Sequence, residues 1–258
     1  VTFPSSSRFD PPADPRAMVA DRVPVLTWDE FLAQFNWTQG QHVTLVGPNG
    51  RGKTVLLTHI LPMRGYKIFL GTKRKDATQT ALVQGKGDHR YHLAKRWEEI
   101  HQDVSPNWML KPPFPKNASV AQVKAVQAQV FNEALMKVFR QGGWTVVGDE
   151  LRYLTDYLGL TDICQLLLLQ GRSLEISFVT GTQRPRWVPL EAFSQASHLF
   201  FWQTPDHQDV ARVAELASIN RETIMEVVPR LNPDAHEVLY VNPKSGYMAV
   251  TVPPPPLS

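Results

Sequence analysis

Gly47-Pro48-Asn49-Gly50-Arg51-Gly52-Lys53-Thr54 satisfies every fixed position of the phosphate-binding pattern G-x-x-x-x-G-K-[ST]. The apolar run His42-Val43-Thr44-Leu45-Val46 precedes it and reads as a buried strand. Thr54-Val55-Leu56-Leu57-Thr58-His59-Ile60-Leu61 follows and reads as a helix. Strand, glycine-rich loop and helix are the setting in which this pattern binds phosphate. The glycines allow successive backbone N–H groups to face one concavity. The helix adds the positive end of its dipole. The whole octapeptide is therefore expected to hold a nucleotide. Lys53 is expected to reach the β- and γ-phosphates, and the Thr54 hydroxyl to ligate Mg²⁺. A plain turn would explain the glycines but not the Lys-Thr that follows them.

Hydrolysis needs a metal-positioning acid and a water-activating group as well. Trp144-Thr145-Val146-Val147-Gly148-Asp149-Glu150 supplies both, as an apolar run ending in adjacent carboxylates about 95 residues after the loop. Ligands of open parallel sheets collect at the carboxyl ends of strands. Asp149 is expected to hold Mg²⁺ there, and Glu150 to polarise the attacking water. The bland alternative is an acidic start to the helix over 151–158. The Val-Val run and the distance from the loop favour catalysis.

The chain has 258 residues, 43% of them apolar, enough for one α/β domain with trimmings. A formal charge of +3 does not by itself identify an anionic partner. The single cysteine, Cys164, excludes an internal disulfide and lies in an apolar run that suits core packing. No apolar stretch approaches the ~20 residues of a membrane span. No basic-then-apolar leader opens the sequence. These features carry the expectation of a cytoplasmic protein without a membrane span.

Three segments emerge. Residues 1–24 are rich in Pro and Ser and read as an extended arm. Residues 25–252 form the catalytic domain, and 253–258 a polyproline-like tail. Within the domain, Thr27 and Glu30 form a helix-start signature. Strands are expected at 66–70, 144–148, 175–182 and 198–204. Helices are expected at 119–141, 161–170, 206–217 and 220–231. A C-terminal hairpin is expected at 237–241 and 247–252. Residues 71–114 show no regular pattern. Alternating strands and helices predict an α/β fold of the P-loop NTPase type (RecA-like), with a mainly parallel central sheet flanked by helices.

The segment Gly171-Arg172-Ser173-Leu174-Glu175-Ile176-Ser177-Phe178-Val179-Thr180-Gly181-Thr182-Gln183-Arg184-Pro185 narrows the class. With the phosphate loop and Gly148-Asp149-Glu150-Leu151, it resembles the FtsK/HerA superfamily of DNA-pumping ATPases. There, the strand after the Asp-Glu strand ends in a similar Gln-Arg-Pro element. The resemblance spans roughly residues 40–204. The compact size looks most like the viral DNA-packaging branch.

The resemblance implies ATP and Mg²⁺ as cofactors and double-stranded DNA as the moved partner. It implies a homo-oligomeric ring of five or six copies, with a portal or capsid component as a candidate anchor. The setting would be a bacterial host's cytoplasm if the chain is viral. It also implies that Gln183 senses the γ-phosphate or orients water, and that Arg172 reaches a neighbouring subunit's nucleotide. Arg140, Arg184 and Arg186 are alternative fingers. Other cargoes fit the same parts: a conjugation or secretion motor, or a repair factor. A nucleotide-regulated module or small-molecule kinase would share the loop, but no lid motif is evident.

Between Arg64 and Arg96 nine Lys or Arg face only two Asp. Lys73, Arg74, Lys75 and Lys86 are the candidate DNA contacts. Contacts to phosphates ignore base sequence, which suits a sliding motor. Any one of these lysines could equally be a solvated surface charge. His89 and His92 lack further ligand partners nearby, so no zinc site is expected.

Overall fold

A computed structural model describes residues 23–85, 90–204, 206–216 and 221–255. Nearly all of the expected arm, Lys86 and the last three residues of the tail lie outside these. In chain order the first elements are α1 (Trp28–Gln34), β1 (His42–Val46), α2 (Lys53–Ile60), β2 (Tyr66–Leu70) and α3 (Ala77–Gln84). Next come β3 (His92–Ala94), β4 (Asn107–Leu110), α4 (Val120–Gln141), β5 (Trp144–Gly148), α5 (Thr161–Gln170) and β6 (Ser177–Thr182). The last are α6 (Glu191–Ser194), β7 (Ala196–Trp202), α7 (His207–Leu216), α8 (Arg221–Val227), β8 (Val238–Asn242) and β9 (Tyr247–Thr251).

The strands form one nine-stranded sheet in the order β3-β4-β2-β5-β6-β1-β7-β8-β9. The pairs from β3 through β7 are parallel, and β8 and β9 join antiparallel as the expected hairpin. The sheet is covered on both faces, as parallel sheets require. The strand period of two sorts the side chains. Val43, Leu45, Phe69, Val147, Phe200 and Trp202 pack with α1 and α2, while Val46, Ile68, Leu70, Val146, Leu199 and Phe201 pack with α4 and α5. Strand β1 is buried along its whole length at the middle of the sheet. Its end therefore delivers the phosphate loop from the buried interior of the sheet.

Local signals place the helices. Thr27 and Glu30 make the reciprocal capping box that starts α1, and Ser119 and Gln122 make another that starts α4. The expected helix over 151–158 starts at Leu151 and widens into a π-helical turn at Tyr153–Tyr157. Residues 71–114 are more regular than the sequence suggests. They hold α3 and two further parallel strands, β3 and β4, which extend the sheet beyond β2. These strands have three and four residues, too few to show a pattern of alternation. No helix among the described residues is long and apolar enough to cross a membrane.

Candidate nucleotide site

Seven parallel strands bring their carboxyl ends to one edge of the sheet, and the site forms there. Gly50 and Gly52 have φ of +76° and +97°, the left-handed region that glycine adopts without strain. Gly47 is required for a different reason. A Cβ there would fall 2.8 Å from Cβ of Trp202, the last residue of β7. The Gly47 N–H donates to the Thr182 carbonyl (3.1 Å), which ties the loop to the end of β6. Helix α2 opens without a side-chain cap, so its first N–H groups are left for an anion.

Lys53 is buried, and its Nζ donates to the carbonyls of Gly47 (2.6 Å) and Pro48 (2.9 Å). Burial lowers its pKa, while the carboxylates of Asp149 and Glu150 act in the opposite direction. Thr54 lies one residue on, partly exposed on the first turn of α2.

Asp149 and Glu150 follow directly from β5. Strand β6 passes so close that a Cβ on Gly181 would fall 2.1 Å from the Asp149 carbonyl oxygen. Only glycine fits there. Asp149 Oδ2 pairs with Lys73 Nζ at 3.4 Å, and its buried Oδ1 has no hydrogen-bond partner. A buried carboxylate oxygen without a partner is costly. It fits the shell of a hard divalent cation, which takes one or two carboxylates together with phosphate oxygens. Glu150 Oε2 accepts a hydrogen bond from Gln183 Nε2 at 2.9 Å. Burial raises the Glu150 pKa, with Asp149 adding to it and Gln183 and Lys53 opposing. Two acids and two lysines thus alternate around the end of β5, beside a helix N-terminus.

The structure brings Lys53, Asp149, Glu150 and Gln183 together but does not bring Arg172 to them. Arg172 lies in a 3-10 turn (Gly171–Leu174) before β6, at the amino ends of the parallel strands. The length of β6 separates it from its own loop, on the order of 20 Å at ~3.3 Å per residue. Arg140, in the last turn of α4, lies at the same far edge. Arg184 and Arg186 lie near the site, but each is engaged by Asp206 and Asp209.

The basic run between Arg64 and Arg96 does not form one open face. Lys67 is buried, its Nζ donating to the carbonyls of Arg64 (2.6 Å) and Gly65 (2.8 Å), and burial pushes its pKa down to about 8. The Arg64 guanidinium lies over Trp37 at 5.1 Å. Lys73 bridges Asp149 and Asp76 (3.4 and 3.3 Å). Arg74 and Lys75 are exposed next to it, and Arg90, Lys95 and Arg96 flank the edge strand β3. Trp97, Trp108 and Trp202 are core residues, and Trp187 is exposed.

Several residues of the site were not singled out from sequence. Gly181 carried a readable signal, since a glycine inside a strand often marks close approach of another backbone. Trp202, whose indole underlies Gly47 and Gly52, and His236, whose Cβ lies about 3.5 Å from a Cβ placed on Gly52, carried none. Their positions depend on how β7 and the loop before β8 pack.

The fold and the site together define a P-loop NTPase. No family model and no curated protein matches the sequence. The fold is similar to that of the genome packaging NTPase B204 from Sulfolobus turreted icosahedral virus 2. The structure of B204 with sulfate aligns with a TM-score of 0.57 at 16% identity, over 84% of this chain and 98% of that one. Its complex with ATP-gammaS aligns with a TM-score of 0.57 at 15% identity over the same shares. The pCW3 conjugation coupling protein TcpA is more distant, with a TM-score of 0.46 at 13% identity over 82% of this chain and 59% of that one. The likeness to B204 is one of fold.

Proposed function

We propose that this chain is an ATP-hydrolysing motor that moves double-stranded DNA as a ring of identical copies, and that its cargo is a viral genome being packaged. One observation carries the proposal. The carboxyl edge of the sheet assembles a glycine-bent loop with Lys53, the unpartnered Asp149 carboxylate oxygen, and Glu150 held by Gln183. The likeness in fold to a genome packaging NTPase supports the choice of cargo.

The loop amides and the start of α2 would bind the phosphates. Lys53 would exchange the Gly47 and Pro48 carbonyls for phosphate oxygens. Thr54 and Asp149 would hold Mg²⁺, which supplies neutralisation of the phosphate charge. Glu150, kept in place by Gln183, would accept the proton of the attacking water. Its raised pKa makes it a stronger base than an ordinary glutamate. Arg172 is exposed on the edge facing away from its own loop, so its contribution would be made to the nucleotide of a neighbouring copy. That requirement makes assembly part of the mechanism. Arg74 and Lys75 would contact DNA phosphates, with Lys86 in the same run of sequence.

The test is steady-state phosphate release from Mg-ATP with and without duplex DNA, alongside the mass of the assembled species. Turnover stimulated by duplex in a five- or six-fold assembly is expected. Turnover indifferent to DNA in a monomer would leave the hydrolase and remove the motor.

A further inference from the structure

Asp206 makes two connections with one carboxylate. Its Oδ1 accepts from the backbone N–H groups of Gln208 (3.0 Å) and Asp209 (3.4 Å), and so caps the start of α7. Its Oδ2 accepts from Arg184 Nη1 (3.3 Å) and Arg186 Nη2 (3.2 Å). Both arginines also face the buried Asp209, at 3.7 and 3.5 Å. The two arginines flank Pro185 directly after Gln183. Asp206 therefore ties the segment that carries Gln183 to a helix outside the catalytic sheet. Pro48, Gln183, Arg184 and Asp206 line one cleft of about 740 Å³, so the tie borders the nucleotide site.

We propose that Asp206 is a positioning residue: through Arg184 and Arg186 it holds Gln183 on Glu150. The inference rests on the hydrolytic reading of that site. A side-chain amide donates a hydrogen bond in a useful direction only if its backbone is held, and the segment has few other restraints. The Arg184 N–H donates to Thr182 Oγ1 (3.2 Å), and the Trp187 N–H donates to the Arg184 carbonyl (3.1 Å). The guanidinium of Arg152 covers the Trp187 ring at 3.8 Å. The ion pairs with Asp206 and Asp209 are the strongest charged connections the segment makes. Isolated exposed pairs contribute little, but four charges that include one buried acid form a network.

Asp206→Asn separates the two connections. Asparagine caps a helix about as well as aspartate, so α7 keeps its start. The amide turns donors toward two guanidiniums, so the link from Asp206 is lost and only the longer pairs of Arg184 and Arg186 with Asp209 remain. Hydrogen exchange is read at the Gln183 side-chain amide, the Arg184 and Trp187 backbone amides, and the amides of α7. Steady-state kinetics are read for Asp206→Asn, Gln183→Ala and the double variant.

The expected result is faster exchange at Gln183, Arg184 and Trp187 with α7 unchanged. With it, kcat falls by about tenfold, the factor that 1.4 kcal/mol of lost positioning gives, while KM is unchanged. In the Gln183→Ala background Asp206→Asn should have no further effect on kcat, because both changes remove the same contact. Unchanged exchange at Gln183, or losses that multiply in the double variant, would overturn the proposal. If the native chain hydrolyses nothing, the hydrolytic reading fails on its own. The exchange at Gln183 still supports or overturns the tie.

Discussion

Burial shifts Glu150 and Lys53 in opposite directions, raising the pKa of the acid and lowering that of the amine. Glu150 is partly desolvated next to Asp149, so its charged form is disfavoured and its pKa is raised. Between the ordinary glutamate value of 4.5 and the raised value, the folded chain binds a proton that the unfolded chain does not. Stability therefore falls as pH rises through that window. Glu150→Gln removes this loss, so the variant should melt at a higher temperature than the native chain at neutral pH. A thermal scan in which the variant melts lower would contradict it. The same raised pKa should move the acid limb of the pH–rate profile upward relative to an ordinary glutamate, and a limb below the ordinary value would not fit. These residues were legible in sequence because each belongs to a short motif whose chemistry is local. Lys73 was readable only as a charge. Its pairing with Asp149 depends on β2 lying beside β5, a neighbour relation no local pattern records.

Strands position these groups, and two of them respond to pH and to sterics in ways that can be measured. His42 on β1 accepts from the Phe178 N–H at Nδ1 and meets the Leu168 carbonyl at Nε2, so it is held neutral. His198 on β7 meets Tyr240 and Gln41 with its two nitrogens. Burial pushes both pKa values down to about 4. The unfolded chain binds these protons first, so stability present above pH 6.5 is lost as pH falls toward 4. The loss should be on the order of 3 kcal/mol per histidine at most. Denaturant melts across that range should show it, with a shallower slope for His198→Gln; an unaltered slope would remove His198 as a source. Gly181→Ala would drive a methyl into the Asp149 backbone and separate β5 from β6. Turnover should be lost even if the variant folds, and near-native turnover would mean that the close approach is dispensable. The central strands were legible as apolar runs before motifs. Strands β3 and β4 were not, because three or four residues carry no period.

The whole molecule puts its catalytic groups on one edge of the sheet and Arg172 on the other. In the proposed motor Arg172 would therefore serve the loop of a neighbouring copy. Arg172→Ala and Lys53→Ala should each be nearly inactive alone, and mixing them should restore part of the activity through the sites whose loop and finger are both native. Mixtures that never recover would remove Arg172 as the finger. DNA contacts are best tested with Arg74→Ala and Lys75→Ala together, sparing Lys73, whose loss would disturb Asp149. DNA stimulation and its salt dependence should both fall while basal turnover stays. The order of the nine strands was not legible in sequence, but the parallel direction of β1 and β6 was, and that direction is what sends Arg172 and the loop to opposite ends.

Phosphate release from Mg-ATP, compared between the native chain and Glu150→Gln at matched nucleotide occupancy, tests the central claim most directly. The account predicts steady release by the native chain and a rate lower by roughly 10²–10⁴ in the variant, with binding retained. Equal rates in the two, or no release by the native chain, would contradict it.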